Sequence, residues 1–346
     1  MSSDYLKTLQ DVAQFKPDVS DRLFSATHEE IRIGATTDIY FIKTYEVLKS
    51  LGLEREQVVA EIFTSRAGVL AGVPECLSLL RGKGVEVEAL QEGERFEPKE
   101  VVMRICGSYG DFGIYETALL GIIASASAWA TAAAECKAAA CGRPFLSFGA
   151  RHVHPSVAPV MERAAIIGGA SGASDILGAK LAGQEPAGTI PHAVVLIVGD
   201  TVKVAEEYDR IMPPDTRRIV LVDTFKDEAE ESLRVARALG ERLEGVRLDT
   251  PGERGGVTPE LVREVRARLD QAGFRHVKIF VSGGITPERM PALVEAGADS
   301  FGIGSYISGA KPIDMTMDLK EIGGRPIAKR GRIPGRTSNQ RLRRVL

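Results

Sequence analysis

From Phe145 to Ser305 short apolar runs alternate with helix-forming stretches, and several of the runs end in a glycine or a polar residue. A chain patterned in this way can pair its strands only in parallel, with helices as crossovers, which points to a (β/α) barrel. The strands expected are Phe145-Leu-Ser-Phe148, Gly188-Thr-Ile-Pro191, Ile219-Val-Leu-Val222, Gly245-Val-Arg-Leu248, Val277-Lys-Ile-Phe-Val281 and Ser300-Phe-Gly-Ile303, with a short one at Ile166-Ile167. Six or seven strands rather than eight make the barrel incomplete. Glu228 to Leu239, Pro259 to Ala272 and Pro287 to Ala296 are expected as helices, with Thr258-Pro259 and Thr286-Pro287 as N-cap and first-turn pairs.

The residues before this region follow another rhythm. A helix over Thr37 to Leu51, a strand at Val58 to Phe63, a short helix at Glu75 to Leu80 and strands at Val85 to Leu90 and Val101 to Cys106 read as α+β. The fold class expected is therefore α/β: an incomplete (β/α) barrel over residues 126–310, preceded by an α+β sandwich-like domain over 1–125. A C-terminal segment, 311–346, breaks the alternation with short extended pieces and is expected to pack back on the first domain. The Ala-rich stretch from Leu119 to Cys141 carries Glu135 and Lys137 and reads as a buried helix rather than a membrane span.

With 346 residues, 44% of them hydrophobic, the chain can bury a large core, and a net charge of -3 gives no global field for nucleic acid or an anionic membrane. The basic run from Lys329 to Arg344 reads as a solvated or subunit-contacting arm. Four cysteines without a disulfide or metal spacing fit a reducing cytoplasm. The N-terminus, Met1-Ser-Ser-Asp-Tyr-Leu-Lys, has no export pattern.

In a barrel the chemistry sits where strands end. Those positions hold Arg151 and His152, His192, Asp223 and Thr224, Asp249 and Thr250, Ser282, and Ser305. Gly283 and Gly284, then Gly302 and Gly304, form two adjacent corners whose N–H groups can close on a phosphate. Asp223 and Asp249 can hold sugar hydroxyls directly or through Mg²⁺, or cap the loops that follow. Arg254, in the flexible Pro251–Gly256 loop, can meet a late-entering diphosphate. His152 and His154 form an H-x-H pair without a third ligand nearby, so no metal ligands are assigned.

Taken in order, Thr37-Asp-Ile-Tyr40-Phe, Tyr115-Glu-Thr-Ala-Leu-Leu-Gly121, Phe148-Gly-Ala-Arg151-His-Val-His-Pro155, Ile167-Gly-Gly-Ala-Ser-Gly-Ala-Ser174, Gly188-Thr-Ile-Pro-His192, Leu221-Val-Asp-Thr224, Val246-Arg-Leu-Asp-Thr250 and Ser282-Gly-Gly-Ile285 resemble nicotinate phosphoribosyltransferases. The resemblance implies the type II phosphoribosyltransferase fold and a cytoplasmic enzyme of NAD salvage that joins nicotinate to phosphoribosyl diphosphate, commonly with ATP hydrolysis. It implies contacts of Tyr40 and Arg151 with nicotinate, phosphorylation of His192 by ATP, and Asp249 beside the ribose and diphosphate. The 5′-phosphate would lie at Ser282–Gly284 and Gly302–Ser305, and Mg²⁺ with Arg254 would stabilise the leaving diphosphate. Sites in the family form between subunits, so a homodimer or higher oligomer is implied, with Tyr40 serving the neighbouring subunit. The chain departs from many relatives at His152, where a second arginine is common, and lacks the C-terminal cysteine cluster of some shorter ones. A decarboxylating quinolinate phosphoribosyltransferase shares the fold but must hold two carboxylates; His152 and Arg163 keep it open. A non-catalytic nucleotide-phosphate-binding barrel is the third reading, and an ordinary sugar-phosphate isomerase barrel leaves the first domain unexplained.

Overall fold

The computed structural model describes residues 5–20 and 22–346. Residues 1–4 of the stretch read for an export pattern lie outside the described residues. Two units result, one made by the chain up to Thr131 with Lys311–Leu346 and the other by Ala132–Ala310, the boundary falling inside the helix Glu116–Ala139. With the turns before it, Tyr109–Ala139 is long and apolar enough to meet the length and composition of a membrane span, and half of its most apolar window is buried within the protein.

The first unit is built on a six-stranded sheet in the order Arg325–Pro326, Met315–Ile322, Gln57–Thr64, Val101–Ser108, Glu86–Ala89, Arg343–Arg344. Every pairing in it is antiparallel. Gln57–Thr64 sits in the middle, and its run Val58-Val-Ala is apolar because both of its faces are covered. Glu61 interrupts that run. The Arg104 guanidinium, directly opposite in the register, answers it at 2.9 Å, and Glu61 also accepts the Thr337 N–H at 3.0 Å. The C-terminal segment thus returns onto the first domain as expected, but its main element is the eight-residue strand Met315–Ile322 rather than only short pieces. Several cations of the tail are paired with acids of the same unit, among them Arg332 with Asp318 at 2.9 Å, Arg341 with Glu100 at 2.8 Å and Arg344 with Glu86 at 3.0 Å.

The second unit carries six parallel strands in the order Gly172–Ala173, Phe145–Ser147, Ser300–Ile303, Lys278–Val281, Gly245–Leu248, Ile219–Leu221. Within this sheet the last strand in chain order, Ser300–Ile303, pairs with the first, Phe145–Ser147, which closes the cylinder on one side. Among the described residues, the ladder is broken between Gly172–Ala173 and Ile219–Leu221. Gly188–Pro191, expected as a strand, runs there unpaired. Pro191 has no N–H to give a ladder, and Gly188 has no side chain to pack.

Two further expectations are corrected. Ile166-Ile167 belongs to the helix Ala158–Gly168, which Gly169 ends at φ 115°, and the short strand comes later, at Gly172–Ala173. Thr286-Pro287 stands in a turn, and the helix begins only at Met290. Thr258, by contrast, caps Pro259–Gln271 as expected by accepting the Leu261 N–H at 3.2 Å.

Candidate active site

Parallel pairing brings the C-terminal ends of the strands to one mouth, and a cavity of about 440 Å³ opens there. Its floor is a residue not singled out from the sequence, Arg247, in the middle of the strand Gly245–Leu248. Side chains two apart on a strand share a face, so Arg247 and Asp249 lie together. The Arg247 guanidinium donates to Thr189 Oγ1 at 2.8 Å, to Ser282 Oγ at 2.9 Å and to Asp249 Oδ2 at 2.8 Å, with its plane 5.4 Å from the centre of the Phe148 ring. Ser282 donates in turn to Asp249 Oδ1 at 2.8 Å. Its buried hydroxyl therefore orients a carboxylate, and what it leaves towards the phosphate corner is backbone. A lone arginine in an otherwise apolar strand was the available signal.

His192, Asp223 and Asp249 come together. The His192 ring has Nδ1 3.1 Å from Thr224 Oγ1 and Nε2 3.6 Å from Asp223 and 3.7 Å from Asp249. Both Asp223 carboxylate oxygens are buried without a hydrogen-bond partner. Burial raises its carboxyl to about 6; His192 opposes the rise and Asp249 adds to it. A buried carboxylate left without donors fits a site that a cation completes. Among the described residues no group of three or more His, Cys, Asp or Glu is arranged to hold an ion. Mg²⁺ is commonly held by one or two carboxylates plus substrate phosphates, and Asp223 and Asp249 match that donor set.

Arg151 lies on the short turn Ala150–His152, exposed, lining the cavity, and without an ion pair or side-chain hydrogen bond among the described residues. The alternative of an arginine paired to a neighbouring carboxylate is not what is seen. His152 Nδ1 lies 3.1 Å from Ser308 Oγ, and its ring packs where a Cβ on Gly304 would come within 2.8 Å.

The two glycine corners differ. Gly283 and Gly284 adopt φ +85° and +61°, which favours glycine, and their carbonyls are braced by Arg289, at 2.7 Å to Gly284 O. Arg289 also donates to Val257 O at 2.6 Å and was missed from the sequence. Gly302 instead lies inside the strand Ser300–Ile303, where a Cβ would come within 2.5 Å of the Phe148 ring. Its bareness is required by packing. Ser305 lines the cavity at the start of a helix of only four residues.

Thr250 and Arg254 each meet a carboxylate, and Thr250 also lines an adjoining cavity of about 670 Å³ with Arg151, His192, Asp249, Gly283 and Gly284. Thr250 is buried and donates to Glu228 Oε1 at 2.7 Å, while Arg254 is exposed and lies 3.6 Å from Glu228 and 3.9 Å from Asp227, off the lining of the cavity. Carboxylates at the start of the helix Glu228–Leu239 hold both. Tyr40, on the helix Ile39–Ser50 of the first unit, is 54% exposed.

Comparison with known proteins places this geometry. Two family models match, "Quinolinate phosphoribosyl transferase, N-terminal domain" over residues 38–127 and "Quinolinate phosphoribosyl transferase, C-terminal domain" over residues 129–318. The crystal structure of nicotinate-nucleotide pyrophosphorylase from Pyrococcus furiosus is similar at a TM-score of 0.87 and 46% identity, covering 91% of this chain and 82% of that one. That of human nicotinic acid phosphoribosyltransferase shares the fold at a TM-score of 0.72 and 22% identity, covering 87% and 77%. Nicotinate phosphoribosyltransferase pncB1 of Mycobacterium tuberculosis (strain H37Rv) is 31% identical over 257 residues, 71% of this chain and 55% of that protein. The chain spans about half the length of the curated relatives it matches. The C-terminal family model alone covers more than half of the residues, and with it the chain belongs to the quinolinate phosphoribosyltransferase family, within the type II phosphoribosyltransferases.

Proposed function

We propose that the chain transfers the phosphoribosyl group of phosphoribosyl diphosphate to nicotinate, giving nicotinate mononucleotide and diphosphate. The observation that carries this reading is Arg151, a cation without a protein partner on the lining of a cavity that His192 and Asp249 also line. One free guanidinium matches one pyridine carboxylate. The other arginine of the cavity, Arg247, is already engaged by Asp249, Ser282 and Thr189.

The chemistry asks little of the protein beyond placement. The lone pair of the pyridine nitrogen forms the new bond to C1′ as the C1′–oxygen bond breaks and its electron pair leaves with diphosphate; no proton moves. Positive charge develops on the ribose ring, which Asp249 can face. Mg²⁺, held by Asp223 and Asp249, would offset the charge of the leaving diphosphate. Gly283 and Gly284 offer backbone to the 5′-phosphate, Arg151 fixes the pyridine ring, and a Tyr40 from a neighbouring subunit would stack on it. The reaction would then couple to ATP through His192, whose Nδ1 is held by Thr224. With two carboxylates near Nε2, a phosphoryl group there would need a divalent cation beside it.

Quinolinate is the second reading, favoured by the two matching family models. A panel separates them: protein, Mg²⁺ and phosphoribosyl diphosphate with nicotinate, quinolinate or nicotinamide, with and without ATP, read as diphosphate and CO₂ release. Diphosphate release with nicotinate alone is expected. Preference for quinolinate with CO₂ release would transfer the assignment.

A further inference from the structure

Beneath the Arg151 turn lies a carboxylate that none of the chemistry above uses. Glu162, on the helix Ala158–Gly168, is fully buried. Its Oε1 accepts from the Ser147 hydroxyl at 3.0 Å and the Gly149 N–H at 2.9 Å, and its Oε2 accepts at 2.9 Å from the Ser174 N–H, which also donates to Ser147 O at 3.1 Å. Burial holds the carboxyl above its ordinary range even against these donors. The donors belong to two neighbouring strand ends. Ser147 and Ala173 form the last rung between Phe145–Ser147 and Gly172–Ala173, and Gly149 and Ser174 lie just past it. Arg151 follows Gly149 by two residues, and Ser174 lines the cavity. The neighbouring helix Ile176–Leu181 leaves room for this side chain only through a glycine, since a Cβ on Gly178 would come within 2.8 Å of the Glu162 Cβ.

We infer that Glu162 is a positioning residue: its carboxylate ties the two strand ends together beyond their last rung and so sets where the Arg151 turn stands over the pyridine pocket. The inference rests on the proposed function for the identity of the ring, but not for the geometry. An amide cannot replace this carboxylate, because glutamine has one acceptor oxygen and would turn an NH₂ group against one set of N–H or O–H donors.

The test compares Glu162→Gln with wild type by hydrogen–deuterium exchange and by steady-state kinetics. Faster exchange is expected over residues 147–152 and 174–176, with Glu228–Leu239 unchanged. KM for the pyridine acid should rise on the order of 10-fold, while kcat and the KM for phosphoribosyl diphosphate stay within about threefold. On an Arg151→Ala background, Glu162→Gln should raise that KM no further. Unchanged exchange at 147–152, or equal losses for both substrates, would overturn the inference. If wild type prefers quinolinate, the nicotinate reading falls, and Glu162 is judged by the same exchange and by the quinolinate KM. Should Glu162→Gln fail to fold, Ser147→Ala removes a single donor and should shift the same KM in the same direction by about two- to threefold; no shift would again overturn it.

Discussion

Gly302→Ala distinguishes a glycine needed for packing from one needed for an anion. An ideal Cβ at 302 would lie 2.5 Å from Phe148 Cε2, 2.6 Å from its Cδ2 and 3.0 Å from Phe280 Cε1. Carbon atoms rest at about 3.5–4.0 Å, so the Phe148 ring must retreat by about 1 Å. It has little room, being stacked on Phe280 at 5.9 Å between centroids and covered by Arg247. Overpacking of this kind costs about 1–3 kcal/mol, and a value near 2 is expected here. Phe148→Val removes the two offending ring atoms and on its own costs on the order of 2 kcal/mol, less than full truncation to alanine. Independent effects would sum to about 4 kcal/mol; relief of the overlap should make the double variant about 1–2 kcal/mol better than that sum. Urea unfolding of the four proteins, followed by circular dichroism, measures the coupling. Additivity within about 0.5 kcal/mol, or a Gly302→Ala protein as stable as wild type, would refute the packing account. A glycine that served only a phosphate would leave stability untouched and change substrate affinity alone.

Asp223 gives a pH prediction. Burial first, then Asp249, raise its carboxyl from 3.8 to about 6 in the folded protein. A raised folded value means that its contribution is fully present below 3.8 and is lost as pH rises through about 6. Metal-free Asp223→Asn should therefore gain on wild type between about pH 4 and 7, by on the order of 2 kcal/mol after solvent screening is allowed for. Identical pH dependence of thermal unfolding in the two proteins would refute this. Arg151→Ala should raise the nicotinate KM by about 2 kcal/mol, roughly 30-fold, and an unchanged KM would remove it from the pocket. His192→Ala should fold normally and lose ATP stimulation of turnover; stimulation that survives would exclude the phosphohistidine role.

Much of the barrel was legible because strand and helix periods are local. Glu228–Leu239 and Gly245–Leu248 lie where the alternation and the capping residues put them. The strand at Met315–Ile322 also had a readable sign, Met315, Met317 and Leu319 at period two, but its neighbours are polar and its partner Gln57–Thr64 is far away in sequence. Gly188–Pro191 misled because an apolar run with a glycine looks the same whether or not a neighbour is there to pair with. The site residues at strand ends were found by position. Arg247, Glu162 and Arg289 were not, because each acts through partners distant in the chain: Thr189 and Ser282, Ser147 and Ser174, and Val257. The same distance hid the contacts of Thr250 and Arg254 with Glu228.

The gap in the parallel sheet has a mechanical meaning. Between Gly172–Ala173 and Ile219–Leu221 the wall of the cylinder is bridged by a single main-chain bond, the Ala187 N–H to Ala173 O at 2.9 Å, and by a guanidinium touching a threonine hydroxyl, Arg247 to Thr189. The stretch leading into His192 therefore depends on few main-chain bonds for its place in the wall. The imidazole at its end is placed by side chains instead, with Thr224 at Nδ1 and two carboxylates near Nε2.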